Sequence, residues 1–487
     1  MRGFWKKYHK WVGLFFALFV VIFCVSGIIL NHRDLFSEYE VSRKLLPKGY
    51  QFENWNNGIV KGSIKTADNE ILLFGTAGIW QTDSLMHNFK QRNEGFDKGV
   101  DNRKINNVVK TSDGGIWCAT QKYLYKHSTT NNRWEKQEIS DCKERITDIT
   151  TKGDTLVVVS RSYVYEAVSP YSSFTKHELK QPDRYEKKTS LFKTVWLIHS
   201  GEIFGLPGKL MVDFLGIVLI VLCVTGILHF FLPSLIKRKK RNGKQTKPYT
   251  NLMKSNLRWH NKLGVWLIVL TVILSVTGMS LRPPLMIPLV LTKVSPIPYS
   301  ELDSDNAWHD KLRAIRWDDD RESWIMSTSE GFFEMNNFGQ TPVKMKNAPS
   351  ISPMGINVFR KQDDGKYLIG SFSGMFVWDI DKETRTDYFT GEPVLPSRGK
   401  PVGREVVAGY SEDFPNIGNI VFDYSSGAIL KDKSPISSQM PTDMISQPMS
   451  LWNFALELHV GRCYNPFLGF FSELFVFLAG LILTLIL

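Results

Sequence analysis

Four long apolar runs interrupt a chain that is otherwise polar. They cover residues 11–30, 214–232, 263–281 and 474–487, and none of them contains Asp, Glu, Lys or Arg. A helix needs about 20 apolar residues to cross the roughly 30 Å hydrocarbon core of a bilayer. The pattern therefore predicts four transmembrane helices, of which the fourth is about the minimum length and ends the sequence.

The first run is predicted to be a retained helix rather than a cleaved signal peptide. Its apolar stretch is about 20 residues long, whereas a signal peptide has an apolar core of about 7–15 residues. The run ends in the sequence LNHR at residues 30–33, which lacks the small residues of a cleavage site.

Positive charge is concentrated beside the apolar runs. Residues 1–10 carry four basic residues and the link 233–262 carries ten, and neither segment contains an acid. The whole chain has a formal net charge of +12, so the remaining segments together are slightly acidic. Short basic loops stay in the cytoplasm, which predicts that the N-terminus, the link and the C-terminus are inside. Basic segments beside a span contact lipid headgroups, and no nucleic-acid partner is expected.

The chain contains two copies of one unit. A shift of 251 residues aligns the first and third apolar runs, and a shift of 260 aligns the segments before the second and fourth. Both copies enter the membrane from the same side, so the repeats are parallel, and such internal symmetry often places a ligand at the repeat interface. The equivalent residues are His9 and His260, Gly13 and Gly264, Ser26 and Thr277, Gly27 and Gly278, His199 and His459, and Gly201 and Gly461.

The segments outside the membrane repeat a turn, a strand, a small-residue turn and a second strand. The copies are spaced by roughly 40 residues, the length of a four-stranded propeller blade. We count three units in the first segment and two or three in the second, and three blades do not close a ring. The expectation is one split propeller of about six blades, and the alternative is two separate small β-domains. The clearest units cover residues 69–80, 113–125, 153–165, 324–333 and 364–378.

The predicted fold class is a mixed membrane protein, with four transmembrane α-helices in two parallel repeats and all-β, propeller-like domains outside the cytoplasm. The predicted organisation, in chain order, is the N-terminus with helix one at 1–32, a β-domain at 33–195, helix two with its preceding His segment at 196–232, the basic link at 233–257, helix three at 258–282, a second β-domain at 283–455, and the second His segment with helix four at 456–487.

Six of the ten histidines lie in or beside the apolar runs. Ionisable residues at a membrane are expensive, so they are functional candidates. A histidine at a helix end can also simply lie among lipid headgroups, which is the alternative for each one taken singly. The inner group is His9, His229 and His260, the outer group is His32, His199 and His459, and the four scattered outside the membrane are His87, His127, His177 and His309.

Two imidazoles from different helices can ligate haem iron, since a neutral imidazole is a good axial ligand. One such pair at each membrane face would form an electron route across the bilayer. The prediction is that His229 pairs with His9 or His260 at the inner face. At the outer face His199 and His459 are the pair, with His32 as the alternative. Zinc is disfavoured because no Cys or carboxylate completes a tetrahedral ligand set.

Short ordered motifs around these histidines resemble the PepSY-associated transmembrane family, which includes inner-membrane proteins similar to ferric-siderophore reductases. The resemblance implies b-type haem bound by the histidines, reduction of ferric iron or a ferric siderophore for iron acquisition, and a bacterial inner membrane with large domains in the periplasm. The motifs are YHKWVG at 8–13 with SG at 26–27, WHNKLG at 259–264 with TG at 277–278, IHSG at 198–201, and LHVGR at 458–462.

Several enzyme classes are disfavoured because their motifs are missing from the sequence. There is no Walker loop, no nucleophile elbow, no HExxH and no GxGxxG that opens a helix. Electrons would therefore come from a lipid quinol or from another protein. The main hypothesis is a ferric reductase, and the alternative is a non-enzymatic sensor or assembly component whose outside domain binds a ligand or a partner.

Overall fold

Residues 2–66, 70–394, 403–469 and 471–487 are described by a computed structural model, with the backbone alone for residues 2–7 and 473. The start of the first predicted β unit, at Asn69, lies outside these residues. The chain divides into two compact units. A helical unit comprises Met1–Phe36, Glu186–Ser304 and Leu451–Leu487, and a β unit comprises Ser37–Tyr185 and Asp305–Ser450. The two outside segments thus form one unit rather than two separate domains.

The helices of the described residues lie in the helical unit, except for the short α7. In chain order they are α1 (Arg2–Asn31), α2 (Arg33–Phe36), α3 (Leu191–Ser200), α4 (Gly205–Arg241), α5 (Lys247–Ser280), α6 (Met286–Leu291), α7 (Thr442–Ile445), α8 (Leu451–His459), α9 (Asn465–Leu468) and α10 (Phe471–Ile486).

Three helical segments of the described chain are long and apolar enough to cross a membrane. They are Tyr8–Asn31, Glu202–Arg241 and Lys247–Ser280, and a shorter apolar helix covers Leu474–Ile486. Many large apolar side chains on these helices are exposed, including Phe15 on α1. An apolar surface of this extent is typical of contact with lipid.

The helices α4 and α5 continue far beyond their apolar runs. The basic link was predicted at 233–257, but α4 continues to Arg241 and α5 already begins at Lys247. Lys and Arg are good helix formers, and Pro248 lies in the first turn of α5, where its missing N–H costs nothing. Most of the predicted link is therefore a helical hairpin.

The long helices form a compact bundle. The contacts join α1 to α4, α4 to α5, α5 to α10, and α10 to α1. The Oγ of Ser275 on α5 donates a hydrogen bond to the carbonyl of Gly480 on α10 at 2.9 Å. The Nδ2 of Asn256 donates to the carbonyl of Thr225 at 2.7 Å, which ties α5 to α4.

We expect a reporter enzyme inserted after residue 245 to be active in the cytoplasm, and one near residue 130 or 370 to be active on the outer side. The reason is that residues 233–262 contain ten basic residues and no acidic residue, as expected of a cytoplasmic loop. Paired cytoplasmic and periplasmic reporters measure this directly. Activity of the 245 insertion on the outer side would reverse the assignment of every inner and outer histidine.

The β unit is built from short antiparallel strands. In chain order the strands of the described residues, including the pair β14 and β15 that lies in the helical unit, are β1 (Glu40–Val41), β2 (Gly62–Lys65), β3 (Ile71–Gly75), β4 (Gly78–Thr82), β5 (Lys90–Gln91), β6 (Ile105–Lys110), β7 (Ile116–Thr120), β8 (Leu124–Ser128), β9 (Arg133–Gln137), β10 (Ile146–Lys152), β11 (Thr155–Ser160), β12 (Val164–Val168), β13 (Thr175–His177), β14 (Thr189–Ser190), β15 (Lys293–Val294), β16 (Leu312–Asp318), β17 (Ser323–Thr328), β18 (Gly331–Met335), β19 (Val343–Lys344), β20 (Val358–Lys361), β21 (Tyr367–Ser371), β22 (Gly374–Asp379), β23 (Thr384–Asp387), β24 (Val407–Ser411), β25 (Ile420–Asp423), β26 (Gly427–Ile429) and β27 (Met449–Ser450).

Of these 27 strands, 23 form six meander sheets, which we number in chain order, and the other four form the two-stranded pairs β1–β27 and β14–β15. Sheets 1 to 5 have four strands each: β2–β5, β6–β9, β10–β13, β16–β19 and β20–β23. Sheet 6 has three strands, β24–β26. The first strand of each sheet contacts the first strand of the next, and β24 contacts β2. The six sheets therefore follow one another in cyclic order, with three from each half of the sequence.

Sheet 6 and sheet 1 are joined by close backbone contacts. The N–H of Tyr410 donates to the carbonyl of Lys61 at 3.2 Å, and the N–H of Ala428 donates to the carbonyl of Asn54 at 2.9 Å. A Cβ at Gly409 would lie 2.5 Å from the carbonyl oxygen of Lys61, so the two strands can approach this closely only because residue 409 has no side chain.

Two apolar clusters connect the halves of the β unit. One joins sheets 6 and 1 around Trp55 and Phe422, both of which are fully buried. The other joins sheets 3 and 4 around Val157 and Trp308. Because each cluster takes side chains from both halves of the sequence, burial of apolar surface holds the halves together.

Candidate functional site

Two of the three outer histidines lie at the ends of equivalent short helices. His199 is in the last turn of α3 and His459 ends α8. A glycine with positive φ follows each helix, Gly201 at 77° and Gly461 at 86°. These glycines end the helices in the left-handed conformation that favours glycine. The two imidazole rings face each other with centroids 6.1 Å apart and an angle of 46° between their planes.

Each outer histidine is held by a long helix from the other half of the sequence. The Nδ1 of His199 lies 3.1 Å from the carbonyl of Leu274 and 3.2 Å from the hydroxyl of Thr277 on α5. The Nδ1 of His459 lies 3.1 Å from the carbonyl of Phe23 and 3.0 Å from the hydroxyl of Ser26 on α1. The repeat-equivalent Ser26 and Thr277 thus have the same role.

These contacts define the protonation of the rings. The Ser26 hydroxyl donates its own hydrogen to the carbonyl of Ile22 at 2.7 Å, and that of Thr277 donates to the carbonyl of Ile273 at 2.7 Å. The hydroxyl and carbonyl oxygens can then only accept from the histidines. Each Nδ1 is therefore protonated, and in a neutral ring the Nε2 carries the lone pair that binds metals.

Two glycines let the rings lie directly on the helix backbones. A Cβ at Gly278 would lie 2.7 Å from the Cε1 of His199, and a Cβ at Gly27 would lie 3.3 Å from the Cε1 of His459. The second residue of each SG or TG pair therefore provides space, while the first residue accepts a hydrogen bond.

The inner histidines repeat the same features. The rings of His9 and His260 have centroids 6.1 Å apart and planes at 79°. The Nδ1 of His260 lies 2.9 Å from the hydroxyl of Thr225, which donates its hydrogen to the carbonyl of Val221. The Nδ1 of His9 lies 3.2 Å from the carbonyl of Ile486. Both rings are therefore again protonated on Nδ1.

His229 is the third inner histidine. It lies close enough to His260 for an electrostatic interaction between the rings. Its Nδ1 is buried, and among the described residues it has no hydrogen-bond partner. A buried ring nitrogen without a partner is costly, so His229 remains a member of the inner group.

His32 has a different partner. Its Nε2 lies 2.5 Å from the Oδ2 of Asp213, and the other carboxylate oxygen accepts from the Nδ2 of Asn31 at 3.1 Å. The same amide donates to the carbonyl of Ser200 at 3.1 Å. Because its Nε2 is engaged, His32 does not join the outer pair. No pattern in the chain indicates this contact, since 181 residues separate His32 from Asp213.

The four histidines of the β unit do not gather. His177 pairs with Glu166 at 2.9 Å, His127 packs on Trp134, and His87 is exposed. Among the described residues, no group of three or more His, Cys, Asp or Glu could hold a metal ion.

The comparisons with known proteins agree with the repeat. The profile of the PepSY-associated TM region matches residues 1–232 and again residues 234–487. A comparison with curated proteins finds no match.

Solved structures with some likeness come from B. thetaiotaomicron and are extracellular domains of candidate two-component or one-component systems. One BT4673 structure has a TM-score of 0.38 and 8% identity, and the match covers 76% of this chain and 32% of that one. A second BT4673 structure has a TM-score of 0.35 and 12% identity, and the match covers 78% of this chain and 40% of that one. A BT3049 structure has a TM-score of 0.35 and 9% identity, and the match covers 77% of this chain and 40% of that one. This chain thus spans less than half of each of those structures.

On the profile that matches both of its repeats, the chain belongs to the PepSY-associated TM family.

Proposed function

We propose that this protein is a haem-bearing membrane oxidoreductase that passes electrons outward to ferric iron or a ferric siderophore complex. The observation that carries the proposal is the matched geometry of His199 with His459 and of His9 with His260. Both pairs have the same ring spacing and the same tautomer, and each pair joins one histidine from each repeat at equivalent positions.

The ring spacing fits two imidazoles on opposite sides of one metal ion. With metal–nitrogen bonds of roughly 2 Å and about 1 Å from each nitrogen to its ring centre, the centroids would lie about 6 Å apart. Both pairs have centroids 6.1 Å apart.

The tautomer also fits ligation. A ligating histidine usually donates its other ring N–H to a carbonyl or carboxylate, which fixes the ring and raises its basicity. All four paired histidines donate from Nδ1 to an oxygen acceptor, which leaves Nε2 for the metal. None of these Nε2 atoms has a hydrogen-bond partner among the residues that the structure describes.

We assign the outer b-type haem to His199 and His459 and the inner one to His9 and His260. His229, which the sequence predicted as an inner ligand, is the third imidazole of the inner site and fills a place beside His260. A bound haem supplies reversible uptake of one electron, at a potential that its axial ligands tune.

The two sites lie near opposite ends of the bundle. On α1, His9 and the Ser26 that holds His459 are 17 residues apart, or about 25 Å along the helix. On α5, His260 and Thr277 have the same separation. We propose that α10 is the fourth span, since it packs on α1 and α5 and its Ile486 accepts the hydrogen bond from His9. The termini and the hairpin of α4 and α5 would lie in the cytoplasm.

The β unit is proposed to be a six-bladed propeller in the periplasm of a bacterial inner-membrane protein. The cyclic order of six meander sheets supports this interpretation, because closure removes exposed strand edges. Ferric iron takes up one electron per ion on this side. The donor on the inner side would be a lipid quinol or a protein.

The function can be tested in sealed vesicles that contain the purified protein. Dithionite is sealed inside, a ferric chelate is added outside, and an impermeant ferrous chelator reports the product. We expect ferrous iron to form outside with the parent protein and with His87→Ala. With His459→Ala the rate should fall to that of vesicles without protein, because the outer site has lost a ligand.

A parent rate equal to that of protein-free vesicles would contradict the reductase proposal. If the protein also lacked haem, the sensor or assembly role would become the better hypothesis.

A further inference from the structure

The helical hairpin of α4 and α5 projects from the inner end of the bundle. Residues 233–262, which include its turn, carry ten basic residues and no acid. The side chains near the turn are exposed, including those of Lys240, Arg241, Lys244 and Lys247. The surface of the hairpin is therefore strongly and uniformly positive.

The hairpin is too long for its charges to be placed among lipid headgroups alone. Lys247 precedes the apolar run of α5 by 16 residues, or about 24 Å of helix. The headgroup layer is only about 5–7 Å thick on each side of the hydrocarbon core. If α5 crosses the bilayer near its normal, Lys247 and Lys244 stand in water well beyond the lipid.

The projecting part also carries exposed apolar surface. Leu252 is 48% exposed and lies about 16 Å before the apolar run. Lys254 flanks it on the same helix.

The hairpin leads directly to the inner histidines. His229 is on α4 and His260 is on α5, at the base of the projecting helices. Lys10, which is exposed, adds positive charge one residue from His9. A partner bound to the hairpin would thus lie on the same side of the bundle as the inner site.

We infer that the hairpin docks an acidic, soluble electron-transfer protein beside the inner histidines. The role of the docked partner rests on the proposed function, whereas the binding itself needs no haem. A uniformly positive surface steers an acidic partner and raises its association rate. Positive charge in a cytoplasmic loop also fixes topology, but that purpose does not require a hairpin that extends beyond the headgroups.

The test is direct binding of an acidic [2Fe–2S] ferredoxin to the full chain in a neutral detergent. We expect binding at about 20 mM salt that is lost at about 500 mM, where charges are screened within a few ångströms. The variant Lys240→Gln, Arg241→Gln, Lys244→Gln and Lys247→Gln should bind about tenfold more weakly at low salt. A control with four exposed lysines of the β unit changed to Gln should bind like the parent: Lys98, Lys110, Lys143 and Lys180.

Equal ferredoxin binding by the hairpin variant and the parent would overturn the inference. So would a variant effect seen only with vesicles that contain anionic lipid, which would make the hairpin a lipid-binding element. Haem content, measured on the same samples, separates the two proposals. Salt-dependent ferredoxin binding by a protein that lacks haem supports the docking inference and contradicts the reductase proposal. Haem in a protein that does not bind ferredoxin supports the reductase proposal and contradicts the docking inference.

Discussion

The variant His459→Ala is expected to bind half as much haem as the parent protein. The substitution removes one of two axial ligands at the outer site and leaves the inner pair untouched. His199, left alone on Leu274 and Thr277, cannot complete a bis-histidine site. Haem content by pyridine haemochrome and the low-spin absorption spectrum measure the loss.

His199→Ala should have the same effect as His459→Ala, and His260→Ala should remove the inner haem instead. The control is His87→Ala, since His87 is exposed in the β unit and lies in neither pair. Full parent haem content and spectrum in both outer variants would show that the outer pair is not a haem site. His229→Ala shows whether the third inner imidazole is also a ligand.

Gly409→Ala is expected to lower the free energy of unfolding of the β unit by about 2 kcal/mol, the scale of an overpacked site. The new Cβ would lie 2.5 Å from the carbonyl oxygen of Lys61 and would force β24 away from β2. Denaturation of the full chain, with hydrogen exchange at the amide of Tyr410, measures the effect. Exchange at this amide should become faster because its bond to Lys61 lengthens.

The control for this variant is Gly49→Ala, since nothing lies within 4 Å of a Cβ at Gly49. It should change the free energy of unfolding by less than about 0.5 kcal/mol. Equal stability of the two variants would mean that β24 and β2 do not need their close approach, and the cyclic arrangement of the sheets would lose its main support.

The apolar runs predicted where the transmembrane helices lie better than they predicted where those helices end. Composition shows where a helix can lie in lipid, and three of the four predicted runs lie within helices long enough to cross a membrane. It does not show how far a helix continues into water. The extension of α4 to Arg241 depends on local helix preference and on packing against α5. Neither of these produces a periodic pattern of apolar residues that the sequence would reveal.

The repeat showed which histidines are equivalent in the two halves, but not the residues that hold them. Aligning the halves identified His199 with His459 and Ser26 with Thr277. It could not show that each histidine packs on a helix of the opposite half, because that exchange exists only in three dimensions. The contact of His32 with Asp213 was missed for the same reason.

The β segments were predicted from turns and strands that recur about every 40 residues. Three of the sheets come from the first segment and three from the second. The clearest repeat units in the sequence do not include the strands of sheet 6. Sheet 6 has only three strands, and the segment around Asn54 and Asn57, far away in the sequence, completes its hydrogen bonding.

Each of the two histidine pairs is proposed to hold one haem. The most direct measurement is the absorption spectrum of the purified protein, oxidised in air and then reduced with dithionite, together with haem per chain. We expect a Soret band, sharp α and β bands on reduction that are typical of two imidazole ligands, and two haems per chain. A colourless protein, isolated intact from cells supplied with haem, would contradict it.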